Sequence, residues 1–336
     1  MKRLQVAESL IPVPFTHLAK CCFATAFVLV AMIALAVPAG AGPVGDTRQR
    51  IGAVLPGSSL FYWQVMRKGI EQAARDLHVD LLMRSPADGA SIDGQPNIQL
   101  KMIDYLVRNG VAGILLAAEP LRDAVAPVAV PVVQVDRLSR DYPSVSIVST
   151  NNLAAGKVAA MTLAPVLRQH AKVAILRLSP EIGATTEREN GFASIAHEKG
   201  WNVTIDAYVG FRPHDAEVRI ARIVSDYDGR LDAIFAPAEP IAYGALRVIR
   251  TLPPERRPRL VVFDWRPEFE DGLRSGEIHA DIVQDPYRMG YLGLEVLVGR
   301  LNGHASASVI YIPTMTLTRD NVDSPASRKI LDRFSR

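Results

Sequence analysis

At 336 residues the chain is too long for one ordinary core, which predicts two lobes of roughly 100–200 residues each. Hydrophobic residues make up 49% and charged residues 22%, the usual balance of globular proteins, which excludes a disordered chain and a polytopic membrane protein. The 38 basic and 35 acidic side chains leave a net charge of +3 with no dense Lys/Arg run, so there is no electrostatic footprint for nucleic acid.

In chain order the first predicted element is a leader. Lys2, Arg3 and Lys20 precede the uncharged stretch from Cys21 to Val37, and Pro38 and the small residues Ala39, Gly40 and Ala41 follow it. That order predicts a secretory signal peptide over 1–41, cleaved after Ala41, with a short linker over 42–50. The alternative is an uncleaved anchor, but the apolar run is shorter than the ~20 residues a spanning helix needs. Cys21 and Cys22 come at the head of the run, whereas a lipidated cysteine follows it, and no cysteine occurs after Cys22.

From Ile51 onward, short apolar runs rich in β-branched residues alternate with stretches of helical period, the pattern of parallel sheets with crossover helices. Strands are predicted at 51–56, 80–84, 112–117, 131–136, 146–150, 172–178, 202–209, 232–237, 259–265, 280–285 and 309–317. Between the first two, Val65, Met66, Gly69, Ile70, Ala73, Ala74 and Leu77 recur at three- and four-residue steps, so one helical stripe faces a sheet. Similar stretches predict helices over 99–107, 154–167, 189–197, 217–224, 242–249 and 289–301. The polar cluster from Ser149 to Asn152 divides the series into two α/β halves of like architecture.

Several fragments, in order, resemble the ribose-type periplasmic binding proteins, whose fold is shared with the ligand domain of LacI-type repressors. They are Tyr62-Trp63 heading a helix that runs to Gly69, PVVQVDR ending in Asp136-Arg137, STNN with Gly156-Lys157, and ERENGF ending at Phe192. Phe211, IFAPAEPIAYGALR, VVFDW with Asp264 and ADIVQDP with Gln284 complete the series. The resemblance spans about Ile51 to Leu317. It implies a type I binding-protein fold with two similar lobes, each a parallel sheet flanked by helices, joined by a three-crossing hinge. The N-terminal lobe is then expected at 51–150 plus 285–312, the C-terminal lobe at 151–284 plus 313–322, and a tail at 323–336.

The same resemblance implies a small polar ligand, a monosaccharide, bound between the lobes of a periplasmic monomer and passed to a membrane ABC permease. No cofactor is implied. Ligands of open α/β sheets bind beyond the carboxyl ends of the strands. Asp136 and Arg137 end one strand and Asp264 ends another, so a carboxylate accepting hydroxyl protons and a guanidinium fork are expected there. A local Asp-Arg pair at a loop start, and a helix cap before Glu268, are the purely structural alternatives. Tyr62, Trp63 and Phe211 offer flat faces to a sugar ring or a quaternary cation, or pack in the core. Gln284 and Asn152, near hinge crossings, offer amides; Trp265 either joins them or covers Asp264.

Departures from the family pattern carry weight too. Ala118 and Ala238 stand where the pattern has polar amides, and the adjoining Glu119 and Glu239 are candidates to replace them. Thr186 stands where an arginine is frequent, with Arg188 as a possible substitute. The resemblance therefore does not imply ribose itself. A sensory role remains open, in which the closed form, holding a sugar or a methylated amine, is presented to a histidine kinase or chemoreceptor. Catalysis has little basis: there is no GxGxxG after the first strand and no GxSxG, HExxH or P-loop, and the seven histidines are scattered, which leaves no metal site.

Overall fold

The computed structural model describes residues 48–87, 97–121, 128–227 and 231–335; the predicted leader and residues 42–47 of the linker after it lie outside the described residues. The elements run β1 (Arg50–Val54), α1 (Phe61–Asp76), β2 (Asp80–Arg84), α2 (Ile98–Arg108), β3 (Gly113–Leu116), β4 (Val132–Val135) and β5 (Ser146–Ser149). After α3 (Asn152–Leu163) come β6 (Lys172–Arg177), α4 (Gly183–Glu198), β7 (Asn202–Tyr208), α5 (Pro213–Asp226), β8 (Ala233–Ala236) and α6 (Glu239–Arg250). The series closes with β9 (Arg259–Phe263), α7 (Phe269–Ser275), β10 (Ile278–Val283), α8 (Pro286–Leu301), β11 (Val309–Tyr311), β12 (Met315–Leu317) and α9 (Pro325–Ser335).

The strands form two sheets of matching order, β11-β5-β4-β3-β1-β2 and β12-β10-β9-β8-β6-β7. β12 runs antiparallel to β10, whereas β11 runs parallel to β5. Strands β3, β4, β5 and β8 are buried along their whole length, as parallel strands covered on both faces must be; β3 and β8 are continuous apolar runs, whereas β4 and β5 also bury Gln134, Ser146 and Ser149.

Helices α1 and α8 cover one face of the first sheet, through Met66, Ile70, Met289, Leu294 and Leu297 against Leu115, Val133 and Val135, and α2 covers the other through Ile103 and Leu106. Helices α3 and α4 cover one face of the second sheet, and α5, α6, α7 and α9 the other. The chain passes between the two bodies three times, after β5, after β10 and between β11 and β12.

Two sequence expectations change. The predicted strand at 309–317 is two strands, one in each sheet, because Pro313 lies where the chain crosses from the first sheet to the second. Helix α4 begins at Gly183, six residues before the predicted start at 189, because its first turns carry no apolar stripe to announce them. Within the expected tail, α9 buries Leu331 and Phe334 in the core of the second sheet.

Candidate ligand-binding site

Asp136 and Asp264 are the residues immediately after β4 and β9, which hold the same place in their sheets. Each sits in the left-handed region, with φ of 62° and 69°, a conformation that aspartate tolerates better than most residues. Each donates its backbone N–H to the neighbouring parallel strand, Asp136 to the Val148 carbonyl at 3.0 Å and Asp264 to the Ile282 carbonyl at 3.2 Å. The turn ends the strand and leaves the carboxylate at the sheet's carboxyl edge. Both residues are buried.

The two carboxylates border one cavity of about 70 Å³. One water needs roughly 10–15 Å³ on this measure, so the space is that of a handful of waters and fits a small molecule. The first sheet contributes Pro56, Leu60, Tyr62, Trp63, Asp136 and Arg137 to its wall. Across from these lie Leu178, Ile182, Ala184, Thr185, Arg188 and Phe211, with Ala238, Glu239, Pro240, Asp264 and Gln284 completing the second side.

On the first side, Asp136 Oδ1 accepts the Tyr62 hydroxyl at 2.7 Å, and Arg137 Nε lies 3.6 Å from Asp136 Oδ2. Burial, and then the charges of Asp136 and Asp264, push the Tyr62 hydroxyl well above its ordinary range, so it remains a neutral donor. Tyr62 and Trp63 meet edge to face with centroids 4.9 Å apart, and the Arg137 guanidinium lies 5.1 Å over the Trp63 ring. The aromatic pair is therefore no empty cage for a quaternary cation, because a guanidinium already lies over the Trp63 ring.

On the second side, Asp264 Oδ1 accepts from Gln284 Nε2 at 2.7 Å and Oδ2 accepts the Glu239 backbone N–H at 3.2 Å. Arg188 Nη1 lies 3.7 Å from Asp264 Oδ2. Burial raises the Asp264 carboxyl, and Arg188 and the Gln284 amide hold it back. Arg188 is itself fixed on three sides: Nε donates to Asn152 Oδ1 at 2.8 Å, Nη1 donates to the Pro237 carbonyl at 3.0 Å, and the guanidinium lies 4.0 Å over the Phe263 ring. Gln284 Oε1 is buried with no hydrogen-bond partner among the described residues, which leaves an acceptor at the cleft.

The structure thus brings Tyr62, Trp63, Asp136, Arg137, Arg188, Phe211, Glu239, Asp264 and Gln284 to one cavity. Asn152 is not on the wall and reaches the cavity only through Arg188. Thr186 is off it as well: its hydroxyl donates to the Ile182 carbonyl at 3.1 Å, and one helical position earlier Thr185 lines the cavity. Helix α4 places Arg188, not Thr186, over the site. Glu119 is buried away from the cavity, its N–H donating to Gln99 Oε1 at 2.8 Å. Trp265 packs on Phe61 and Phe334 and is not on the wall.

Sequence reasoning missed the apolar wall of Leu178, Ile182 and Ala184, although Leu178 follows β6 directly and the carboxyl-edge rule that selected Asp136 would have selected it.

The model of the periplasmic binding protein domain matches residues 51–305. The chain belongs to the periplasmic binding protein family. Among curated relatives, the ribose import binding protein of Bacillus subtilis is 27% identical over 255 residues, covering 74% of this chain and 80% of that protein. The D-allose-binding periplasmic protein of Escherichia coli is 25% identical over 256 residues, 70% of this chain and 79% of the relative. Among solved structures, an ABC transporter solute-binding protein of Agrobacterium vitis with bound D-fucose superposes with a TM-score of 0.75 at 24% identity, over 84% of this chain and 99% of that one. These relatives are named for binding and none for catalysis. Among the described residues of this binding protein, no helix is long and apolar enough to cross a membrane, and no cluster of metal-ligating side chains occurs.

Proposed function

We propose that this chain is an exported binding protein that captures one monosaccharide between its two sheets and delivers it to a membrane ABC permease. The observation that carries the reading is the pair of strand-end aspartates, one from each sheet, facing a common cavity with two guanidinium groups beside them. Carboxylates accept hydroxyl protons and guanidinium forks donate to ring and hydroxyl oxygens, so the set matches a polyhydroxylated ring with donors and acceptors on its rim. Phe211, on the wall of the same cavity, adds an apolar surface for the C–H groups of that ring.

The lobes are assigned to 51–150 plus 285–312 and to 151–284 plus 313–322, with α9 joining the second, in keeping with the pairing of β11 with β5 and of β12 with β10. Domain closure around ligands is established behaviour of periplasmic binding proteins. A ligand touching both sheets stabilises the closed arrangement, and only its differential affinity for that arrangement shifts the balance.

Uptake is favoured over sensing by the import proteins among the relatives, and a sugar over a methylated amine by the guanidinium covering Trp63. The protein works as a monomer in the periplasm after cleavage behind Ala41.

The test is a thermal-shift screen followed by titration calorimetry against D-ribose, D-allose, D-fucose, D-arabinose and trimethylamine oxide. A ligand that binds only the native state raises the melting temperature. Stabilisation by a sugar supports the reading. Stabilisation by the amine oxide alone, or by none of the panel, sinks it.

A further inference from the structure

Helix α1 starts without the cap a helix ordinarily has. Its N-cap residue, Leu60, offers no side-chain acceptor, and no acidic residue occurs in its first turn. The first N–H groups of a helix have no partner within the helix and need an acceptor from elsewhere. Here the acceptor comes from the other sheet. Glu239 Oε1 accepts the Phe61 N–H at 3.1 Å and Oε2 accepts the Tyr62 N–H at 2.9 Å, so both carboxyl oxygens of α6's first residue are engaged on α1.

Two further contacts fix that side chain. The Glu239 N–H donates to Asp264 Oδ2 at 3.2 Å, and Arg266 Nη1 lies 3.5 Å from Glu239 Oε1. Glu239 is 2% exposed. An unbroken chain therefore links the carboxylate expected to hold the ligand, Asp264, through the Glu239 main chain and side chain, to the helix that carries Tyr62 and Trp63. The sequence suggested that Glu239 takes over a lost ligand contact; its side-chain oxygens are spent on the opposing backbone instead.

We infer that Glu239 is the interlobe clasp of this binding protein, a positioning residue that caps α1 from the opposite lobe only when the cleft is closed and so sets how long the ligand is held. The inference rests on the two-lobed closure proposed above. Opening the cleft leaves the Phe61 and Tyr62 N–H groups to water and exposes the Glu239 carboxylate. The clasp acts on the closed form whatever sugar is inside, so it governs dissociation more than encounter.

The experiment compares the wild-type protein with Glu239→Ala and Glu239→Gln, using small-angle scattering of the ligand-free protein and stopped-flow tryptophan fluorescence with D-ribose as the probe. Far-ultraviolet circular dichroism checks the fold of each variant. The alanine variant is expected to have a larger radius of gyration and to release D-ribose about tenfold faster at an unchanged association rate. The glutamine variant, which retains one acceptor oxygen, is expected to lie between the two. Unchanged scattering and release in a folded alanine variant overturns the clasp, as does faster release with unchanged scattering, which marks a direct ligand contact. If wild-type protein gives no D-ribose signal, ribose is removed from the proposed ligands, and scattering alone decides the clasp: a shift toward the open form supports it and identical curves overturn it.

Discussion

Arg188 Nε donates to Asn152 Oδ1 at 2.8 Å, so a side chain outside the cavity fixes the orientation of one that lines it. The two come from the first turn of α3 and the second turn of α4, whose backbones are in close approach: a Cβ built on Gly156 would lie 1.9 Å from the Arg188 carbonyl oxygen. Replacing Asn152 with alanine is expected to weaken sugar binding about tenfold with little change in melting temperature, because one of three restraints on the guanidinium is lost. Titration calorimetry checks it, and affinity equal to wild type removes Asn152 from the site.

Truncation of either strand-end aspartate has a larger effect. Asp136→Ala removes the acceptor of the Tyr62 hydroxyl and leaves Arg137 without its neighbouring carboxylate. Asp264→Ala leaves Gln284 Nε2, the Glu239 N–H and Arg188 Nη1 short of a buried partner. Each is expected to lower affinity at least a hundredfold, about 3 kcal/mol, with secondary structure intact by circular dichroism. A variant that binds within threefold of wild type removes that aspartate from the ligand contacts.

Gly156→Ala tests the packing under Arg188. The obstructing atom is backbone, so α3 and α4 must separate to admit a methyl group. Overpacking of this kind costs about 1–3 kcal/mol, and a drop of several degrees in melting temperature is expected, with weaker binding as α4 shifts. An unchanged melting temperature shows that the helices adjust freely.

Stability should fall as pH rises through neutrality. Burial pushes Glu239 up to about 7 against the opposing pull of the Tyr62 and Phe61 N–H groups and Arg266, with Asp264 adding to the rise. Burial likewise pushes Glu189 up to about 7 against the Leu178 N–H and Arg177, with Asp206 adding to the rise. In the unfolded chain both return to about 4.3. A group raised in the native state favours folding below its unfolded value and loses that contribution as pH rises through the native one. Asp264 is raised in the same direction, and so is Asp281, buried in β10 with no hydrogen-bond partner among the described residues. The groups shifted the other way, Glu268 and Asp323, are still ionised at pH 5.5 and do not offset the trend. The melting temperature is expected to be several degrees higher at pH 5.5 than at pH 8. A melting temperature that rises over this interval contradicts the assignment.

The parts of the fold legible in the sequence are those that repeat a pattern. Buried parallel strands read as apolar runs, and Asp136 and Asp264 stand out as charges at their ends. Helix α4 is legible only in its second half, since Gly183 to Arg188 carry no apolar period, so Arg188 is reached as a candidate through the family pattern and not through the helix itself. The Glu239 contact left no trace in the sequence, because its partners are backbone N–H groups, which any residues at positions 61 and 62 would supply. Proline at 313 did mark the change of sheet inside the run at 309–317, but the surrounding β-branched residues outweighed it.

The threefold passage of the chain means that cutting the polypeptide at its middle does not yield two proteins. A fragment ending at residue 150 has five of the first sheet's six strands and lacks α8, whose Met289, Leu294, Leu297 and Val298 fill the core against α1. The complementary fragment carries α8 and β11 without the sheet they belong to, and exposes that apolar face to solvent. Neither half can bury what it needs until the other is present, so folding waits on contacts between residues more than 200 positions apart, and Met66 beside Gly290 is one such meeting point.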